Sequence, residues 1–272
     1  MSLPPSSYEL IARAHRVCGA FNARVRRSVA AVPGNPGRVS VERFGDVWAT
    51  RCELPEAPDW MNLLGPVSAA NLDALPSALA WYGGIHPMIE VTPQAEHEKL
   101  AHALTACGYA PTGLVDILWG PKIEVLAEQR SGSDGLRVHR VDPEETAVFA
   151  RILLGGHVDT FWGHEADGLA SLVGGENVHC YLATIHGEPA AGAILSIDHG
   201  LAYLANASTL PAFRNRGCHN ALLSARLRDA ARTDSELIVA LADVGSTSHR
   251  NMERCGLHTL VTATQWAFAD LL

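Results

Sequence analysis

The sequence predicts a mixed α/β (α+β) protein in two halves, and three observations carry that prediction. Residues 1–126 alternate between apolar runs of strand length and stretches of helical period. Residues 136–272 hold three successive strand-like runs joined by tight turns, hence antiparallel, and then alternate helix and strand to the end. Between the halves lies Ala127 to Gly135, AEQRSGSDG, polar, charged and glycine-containing, the best linker in the chain. A chain of 272 residues that is 47% hydrophobic can fill one large or two medium cores.

In the first half, Tyr8 to Ala31 places Leu10, Ile11, Ala14, Val17, Phe21 and Val25 at helical spacing. The PGNPG run after it is a turn, Val39 to Cys52 a strand pair, and Trp60 to Gly65 a short buried strand or turn. Asn71 to Tyr82 reads as a helix with Leu72, Leu75, Leu79 and Tyr82 on one face. Pro76 inside it marks either a break or the true first turn. Pro87 to Val91 is a strand, Gln94 to Cys107 a helix capped by Gly108, and Thr112 to Trp119 a strand.

The second half opens with a strand, Leu136 to Val141. A helix from Pro143 to Leu154 follows, with Glu144 and Glu145 where the dipole favours them. Gly155 to Asp167 reads as a loop. Asn177 to His186, Pro189 to Ile197 and Leu201 to Thr209 are the three strands, turned at Gly187 and at Asp198-His199-Gly200. A helix from Gly217 to Ala231, a strand from Leu237 to Leu241, a helix from Ser248 to Cys255 and a strand from Leu257 to Ala269 finish the chain.

The net charge of −8 argues against nucleic-acid and anionic-membrane partners. The six cysteines (18, 52, 107, 180, 218 and 255) share no close CxxC spacing, which speaks for reduced thiols and a cytoplasmic protein. No signal-like segment or membrane-length apolar run occurs.

The most informative segment is Thr209 to Leu223, TLPAFRNRGCHNALL. A strand ends, two arginines and a glycine follow, and a helix begins. The first turn of a helix directs unpaired N–H groups and a positive dipole end outward. Gly217 lets backbone approach a bulky phosphate, and Arg214 and Arg216 add cationic forks. A solvated arginine turn before an ordinary helix would look similar; its place after three antiparallel strands favours the anion site.

Arg214-Asn215-Arg216-Gly217-Cys218-His219 resembles the acetyl-CoA signature of the GNAT acyltransferases, R/Q-x-x-G-x-G/A. His219 departs from it, standing where a small residue is usual. There it would either crowd the loop or donate to phosphate. Gly245 to Thr262, GSTSHRNMERCGLHTLVT, is similar to the family's C-terminal signature S-x-R-N-x-E-R-x-G-F, with Leu257 in place of phenylalanine. The first half resembles a degenerate domain of the same kind, ending in Cys107-Gly108-Tyr109 and lacking the phosphate loop; an unrelated α/β domain is the alternative.

The resemblance implies two tandem GNAT-like domains, 1–126 and 136–272, with acetyl-CoA as co-substrate, no metal, and direct transfer to an amine. The acceptor would be a small molecule. A protein or peptide acceptor, or a non-catalytic acyl-CoA-binding module, is the alternative. Oligomeric state stays open between monomer and homodimer. By the same resemblance, the strand through Ala207, Ser208 and Thr209 splays from its neighbour and pairs with the pantetheine arm. A backbone N–H near Ser208 or Thr209 then holds the thioester oxygen. The CoA-binding set is Ala207, Ser208, Thr209, Arg214, Asn215, Arg216, Gly217, Cys218, His219, Asn220 and Asn251.

Asp243, past the splaying strand, is the candidate base, although an aspartate ahead of Gly245 also suits a turn. No tyrosine follows Tyr203 to act as general acid, which leaves Ser248 or water. His157, Asp159 and His164 border the expected acceptor site; as a metal set they share no helical face. Cys218 reads as a small residue packed beneath the loop.

Overall fold

A computed structural model describes residues 7–55, 57, 59–93, 97–122, 134–156 and 163–271. By packing, the chain divides into two units: 1–117 with 259–272, and 118–258. The linker expected at 127–135 lies, up to residue 133, outside the described residues.

In the first unit, helix α1 (Ser7–Ala30) buries Leu10, Ala14, Val17, Phe21 and Val25 against the sheet, as their spacing requires. Strands β1 (Val39–Phe44) and β2 (Val47–Cys52) form a hairpin. Strand β3 (Leu63–Val67) begins after a 3-10 turn at Asp59–Met61. The helix expected over 71–82 is two pieces, a 3-10 turn at Ala69–Ala74 and α2 (Leu75–Trp81), with Pro76 in the first turn of α2. Proline has no N–H to give, so it fits only where a helix begins.

Strand β4 (Met88–Val91), helix α3 (His97–Ala106) and strand β5 (Tyr109–Pro121) follow. The last strand, β11 (His258–Phe268), pairs antiparallel with β4 through Thr264↔Val91 and Trp266↔Ile89. The final strand, expected to close the second half, therefore counts from Thr259 with the first unit. Its buried Trp266 belongs to the core of Leu64, Ile89, Leu100, Leu104 and Tyr109.

The second unit starts with β6 (Leu136–Arg140) and α4 (Thr146–Gly155), the latter led in by a 3-10 turn at Pro143–Glu145. Helix α5 (Gly163–Ala170) replaces part of the expected loop at 155–167. Its Leu169 and Ala166 are buried, an apolar face too short for sequence periodicity to show. Strands β7 (Val178–Ile185), β8 (Glu188–Asp198) and β9 (Leu201–Thr209) form the antiparallel meander, and β6 pairs with β7. Helix α6 (Cys218–Ala230) carries the chain to β10 (Leu237–Asp243), which lies parallel to β9. Helix α7 (Thr247–Arg254) comes next, its N-cap Ser246 accepting from the His249 N–H at 3.1 Å.

Leu222, Leu223 and Leu227 of α6 pack on Ala193, Leu195, Ala202, Leu204, Ile238 and Ala240. Each such leucine contributes about 1.5–3 kcal/mol by leaving water. Among the described residues, no helix is long and apolar enough to cross a membrane.

Candidate functional site: an opened strand pair

Strands β9 and β10 pair only from Leu201↔Leu237 to Leu204↔Ala240. Beyond that point β9 continues to Thr209 and β10 to Asp243 without register between them. The other edge of β9 stays paired with β8 as far as Ala191↔Thr209. The Leu210 N–H donates to the Ala190 carbonyl at 3.0 Å. Antiparallel alternation then turns the Ser208 N–H toward β8 and leaves the backbone groups of Ala207 and Thr209 on the edge where β10 has diverged.

A bulge marks the start of the opening. Ala193 faces Ala207 and Ile194 faces Ala205, so Asn206 is the extra residue, exposed and at φ 32°. Arg226, fully buried on α6, lies under it: Nη1 donates to the carbonyls of Ile194 (3.3 Å) and Ala205 (3.2 Å), and Nε to that of Leu222. Burial pushes its guanidinium down to about 10, so it remains charged at neutral pH. Sequence reading passed over Arg226. The available signal was an arginine inside the apolar stripe Leu222, Leu223, Leu227, Ala230.

The loop from β9 to α6 is exposed from Arg214 to Gly217. Asn215 (φ 62°) and Gly217 (φ 85°, ψ 0°) are both left-handed, and the turn rests on them. Gly217 caps α6 with backbone alone, and no side chain takes the cap position. The first N–H groups of the helix, at Cys218, His219 and Asn220, precede its first internal bond, Ala221 N–H to the Gly217 carbonyl. Arg214 folds back onto the carbonyls of Thr209 (3.4 Å) and Gly156 (3.1 Å). Arg216 lies over the Phe213 ring at 5.8 Å. Cys218 is buried, and desolvation raises its thiol, which fits a packed residue.

Gly156, which sequence reading also passed over, ends α4 against β9. A Cβ there would stand 1.9 Å from Ser208 Oγ and 3.0 Å from both Thr209 N and O. Ser208 is buried and donates from Oγ to the Ile152 carbonyl at 2.8 Å.

The His219 side chain bonds to two residues of α7. Its Nε2 is 3.1 Å from Ser248 Oγ and its Nδ1 3.2 Å from Asn251 Nδ2, and Asn251 is buried on α7. Desolvation first, then the Arg226 charge, pushes the ring down to about 4. Three residues singled out separately in the sequence thus meet. Asp243 is the exposed last residue of β10, and its carbonyl accepts from Ser246. His157 and Asp159 lie outside the described residues, as does the side chain of His164. No group of three His, Cys, Asp or Glu that could hold a metal occurs among the described residues.

No protein-family model and no curated protein matches the sequence. Solved structures do match the fold. A GCN5-related N-acetyltransferase from Kribbella flavida is 15% identical, covers 93% of this chain and 95% of its own, and has a TM-score of 0.60. One from Sphaerobacter thermophilus is 13% identical over 75% of this chain and 72% of its own, at 0.57. A tandem GNAT protein from the clavulanic acid biosynthesis pathway is 12% identical over 92% of this chain and 94% of its own, at 0.56. The chain therefore has the GNAT acyltransferase fold, in a layout it shares along nearly its whole length with a tandem protein of that superfamily.

Proposed function

We propose that the chain is an acetyl-CoA-dependent N-acetyltransferase whose acceptor is the primary amine of a small molecule. The observation that carries the reading is the early end of the β9–β10 pairing. It leaves the strand edge of Ala207 and the Thr209 N–H to a polar chain such as pantetheine, while the Thr209 carbonyl is held by Arg214, beside a helix start with no side-chain cap. Catalytic and CoA-binding work then belongs to the second half, 136–272, and the first half is its degenerate partner.

In this reading the pyrophosphate lies at the N–H groups of Gly217 to Asn220, with Arg216 beside it. Asn215 and Gly217 set the turn. Arg214 braces the end of β9 and Cys218 packs below. An N–H of Ala207 or Thr209 receives the thioester oxygen, and Ser208 anchors the strand from beneath. Asp243 takes the proton that the amine must lose, and Ser248 attends the leaving sulfur. Asn251 holds His219. His157, Asp159 and His164 contact the acceptor.

The test has two stages. Calorimetry with CoA should give a binding isotherm with the purified chain; no binding defeats the reading. Free-thiol release from acetyl-CoA is then followed against a panel of small amines and basic peptides. Turnover with a small amine supports the proposal and turnover only with peptides replaces the acceptor. Binding without any turnover makes the chain an acyl-CoA-binding module.

A further inference from the structure

Helix α6 follows β9 and α7 follows β10, so a bond between the starts of these helices closes across the place where the strands part. His219 makes two such bonds, and chemistry fixes their direction. Arg254 Nη1 stands 2.8 Å from Asn251 Oδ1. A guanidinium only donates, so the Asn251 oxygen must face it and the amide nitrogen must face His219. The amide nitrogen only donates, so His219 Nδ1 accepts. An imidazole accepting at Nδ1 carries its proton on Nε2, and that N–H donates to Ser248 Oγ. The chain runs one way: Arg254 to Asn251 to His219 to Ser248. Ser248 receives a hydrogen bond and keeps its own O–H to give.

We infer that His219 is a positioning residue, which through Nε2–H turns the Ser248 hydroxyl proton toward the sulfur of CoA in the opening between β9 and β10. The inference rests on the CoA reading above. During transfer the amine nitrogen bonds the acyl carbon as the carbon–sulfur bond breaks, and the electron pair leaves on sulfur. The amine's surplus proton goes to Asp243 or water. The Ser248 hydroxyl hydrogen-bonds the thiolate until the sulfur takes a proton from solvent, so Ser248 loses none. The ring stays neutral above about pH 4, which keeps the polarity of the chain fixed. The charged groups that act on it are Arg226 from α6 and, through Asn251 on α7, Arg254. This accounts for a histidine where the signature has a small residue.

The experiment titrates the thiol of bound CoA by thiolate absorbance, in parallel with CoA affinity and thermal unfolding. In the wild type the thiol should titrate about one unit lower than in free CoA. The shift should vanish in Ser248→Ala and His219→Leu. His219→Gln, which offers both a donor and an acceptor, should keep part of it. Asn251→Asp is the sharpest variant, because a carboxylate only accepts. It should move the imidazole proton to Nδ1, make Nε2 an acceptor and turn the Ser248 hydroxyl inward, abolishing the shift with every side-chain length kept.

Nitrogen-15 spectra of histidine-labelled protein should show the Nε2–H tautomer in the wild type and Nδ1–H in Asn251→Asp. A packing role alone would change affinity or unfolding temperature and leave the bound thiol unmoved. If His219→Leu does not fold, Ser248→Ala and Asn251→Asp decide. CoA that binds and titrates alike in the wild type and these two variants overturns the inference and leaves the CoA reading standing. So does an Nδ1–H tautomer in the wild type. Failure of CoA to bind overturns both.

Discussion

The molecule contains the same strand-helix-strand unit twice, and only the second copy is open. In the first, β3 and β4 lie parallel with α2 between them in sequence, and they are paired at both ends across an irregularity between Leu64 and Val67. The Met88 N–H donates to the Asn62 carbonyl at one end, and the Thr92 N–H to the Val67 carbonyl at the other. The turn into its helix satisfies itself as well, with Asn71 Oδ1 accepting from the Ser68 N–H at 2.8 Å. In the second copy, β9 runs five residues and β10 three residues past their last pair. There the helix start has glycine where a capping side chain would be. A strand edge and a helix start become binding groups only where the protein's own groups have not used them.

That contrast predicts one CoA per chain by calorimetry; two would break it. The largest single effect should come from Gly156→Ala, whose Cβ would meet Thr209 N and O at 3.0 Å. Overpacking of about 1–3 kcal/mol at that edge corresponds to a loss of CoA affinity of up to about a hundredfold. The matching change in the closed copy is Gly65→Ala, where a Cβ would stand 2.9 Å from Glu90 Cβ. It should lower the unfolding temperature and leave CoA affinity within about twofold, the range of ordinary context effects. Equal losses of affinity in both would end the distinction.

Gly217→Ala comes next. The nearest atom to its Cβ is 3.7 Å away, so the penalty is the left-handed backbone at φ 85° rather than a clash. A cost of about 1–2 kcal/mol predicts roughly tenfold weaker CoA binding. Arg216→Ala should weaken it about fivefold and flatten its salt dependence, as expected for an exposed cation near a phosphate.

The smallest effect distinguishes the first copy by its half-buried acid, Glu90. Burial raises the Glu90 carboxyl from 4.5 to about 7. The folded state therefore binds more protons than the unfolded state between those values, and the stability from neutral Glu90 is lost as pH rises through that window. Glu90→Gln should raise the unfolding temperature by about 3 °C at pH 8 and leave it unchanged at pH 4. An equal gain at both values would remove ionisation as the cause.

Most elements were legible because their apolar periods are long. The 24 residues of α1 repeat theirs over six turns, and the strands of the meander alternate between clear turns. Helix α5 was not legible, since eight residues of mixed polarity present too few apolar positions. The turn before α6 could be read from Arg214 to Gly217, because glycine at a helix start is a local demand of the backbone. Gly156 could not be read, as nothing near it in sequence tells that Thr209 lies against it.

The sequence by itself determined the local pieces: which stretches are helix or strand, where the turn before α6 needs glycine, and that Ser248 and His219 stand near helix starts, with Asn251 inside the helix that Ser248 begins. Only the tertiary structure decided that β9 and β10 part after Leu204 and Ala240. It also decided that β11 counts with the first unit and that His219 reaches two residues of α7. Periodicity and backbone preference act over a few residues. Strand register and a hydrogen bond across about thirty residues of chain depend on how distant segments pack, and a linear pattern does not encode that separation.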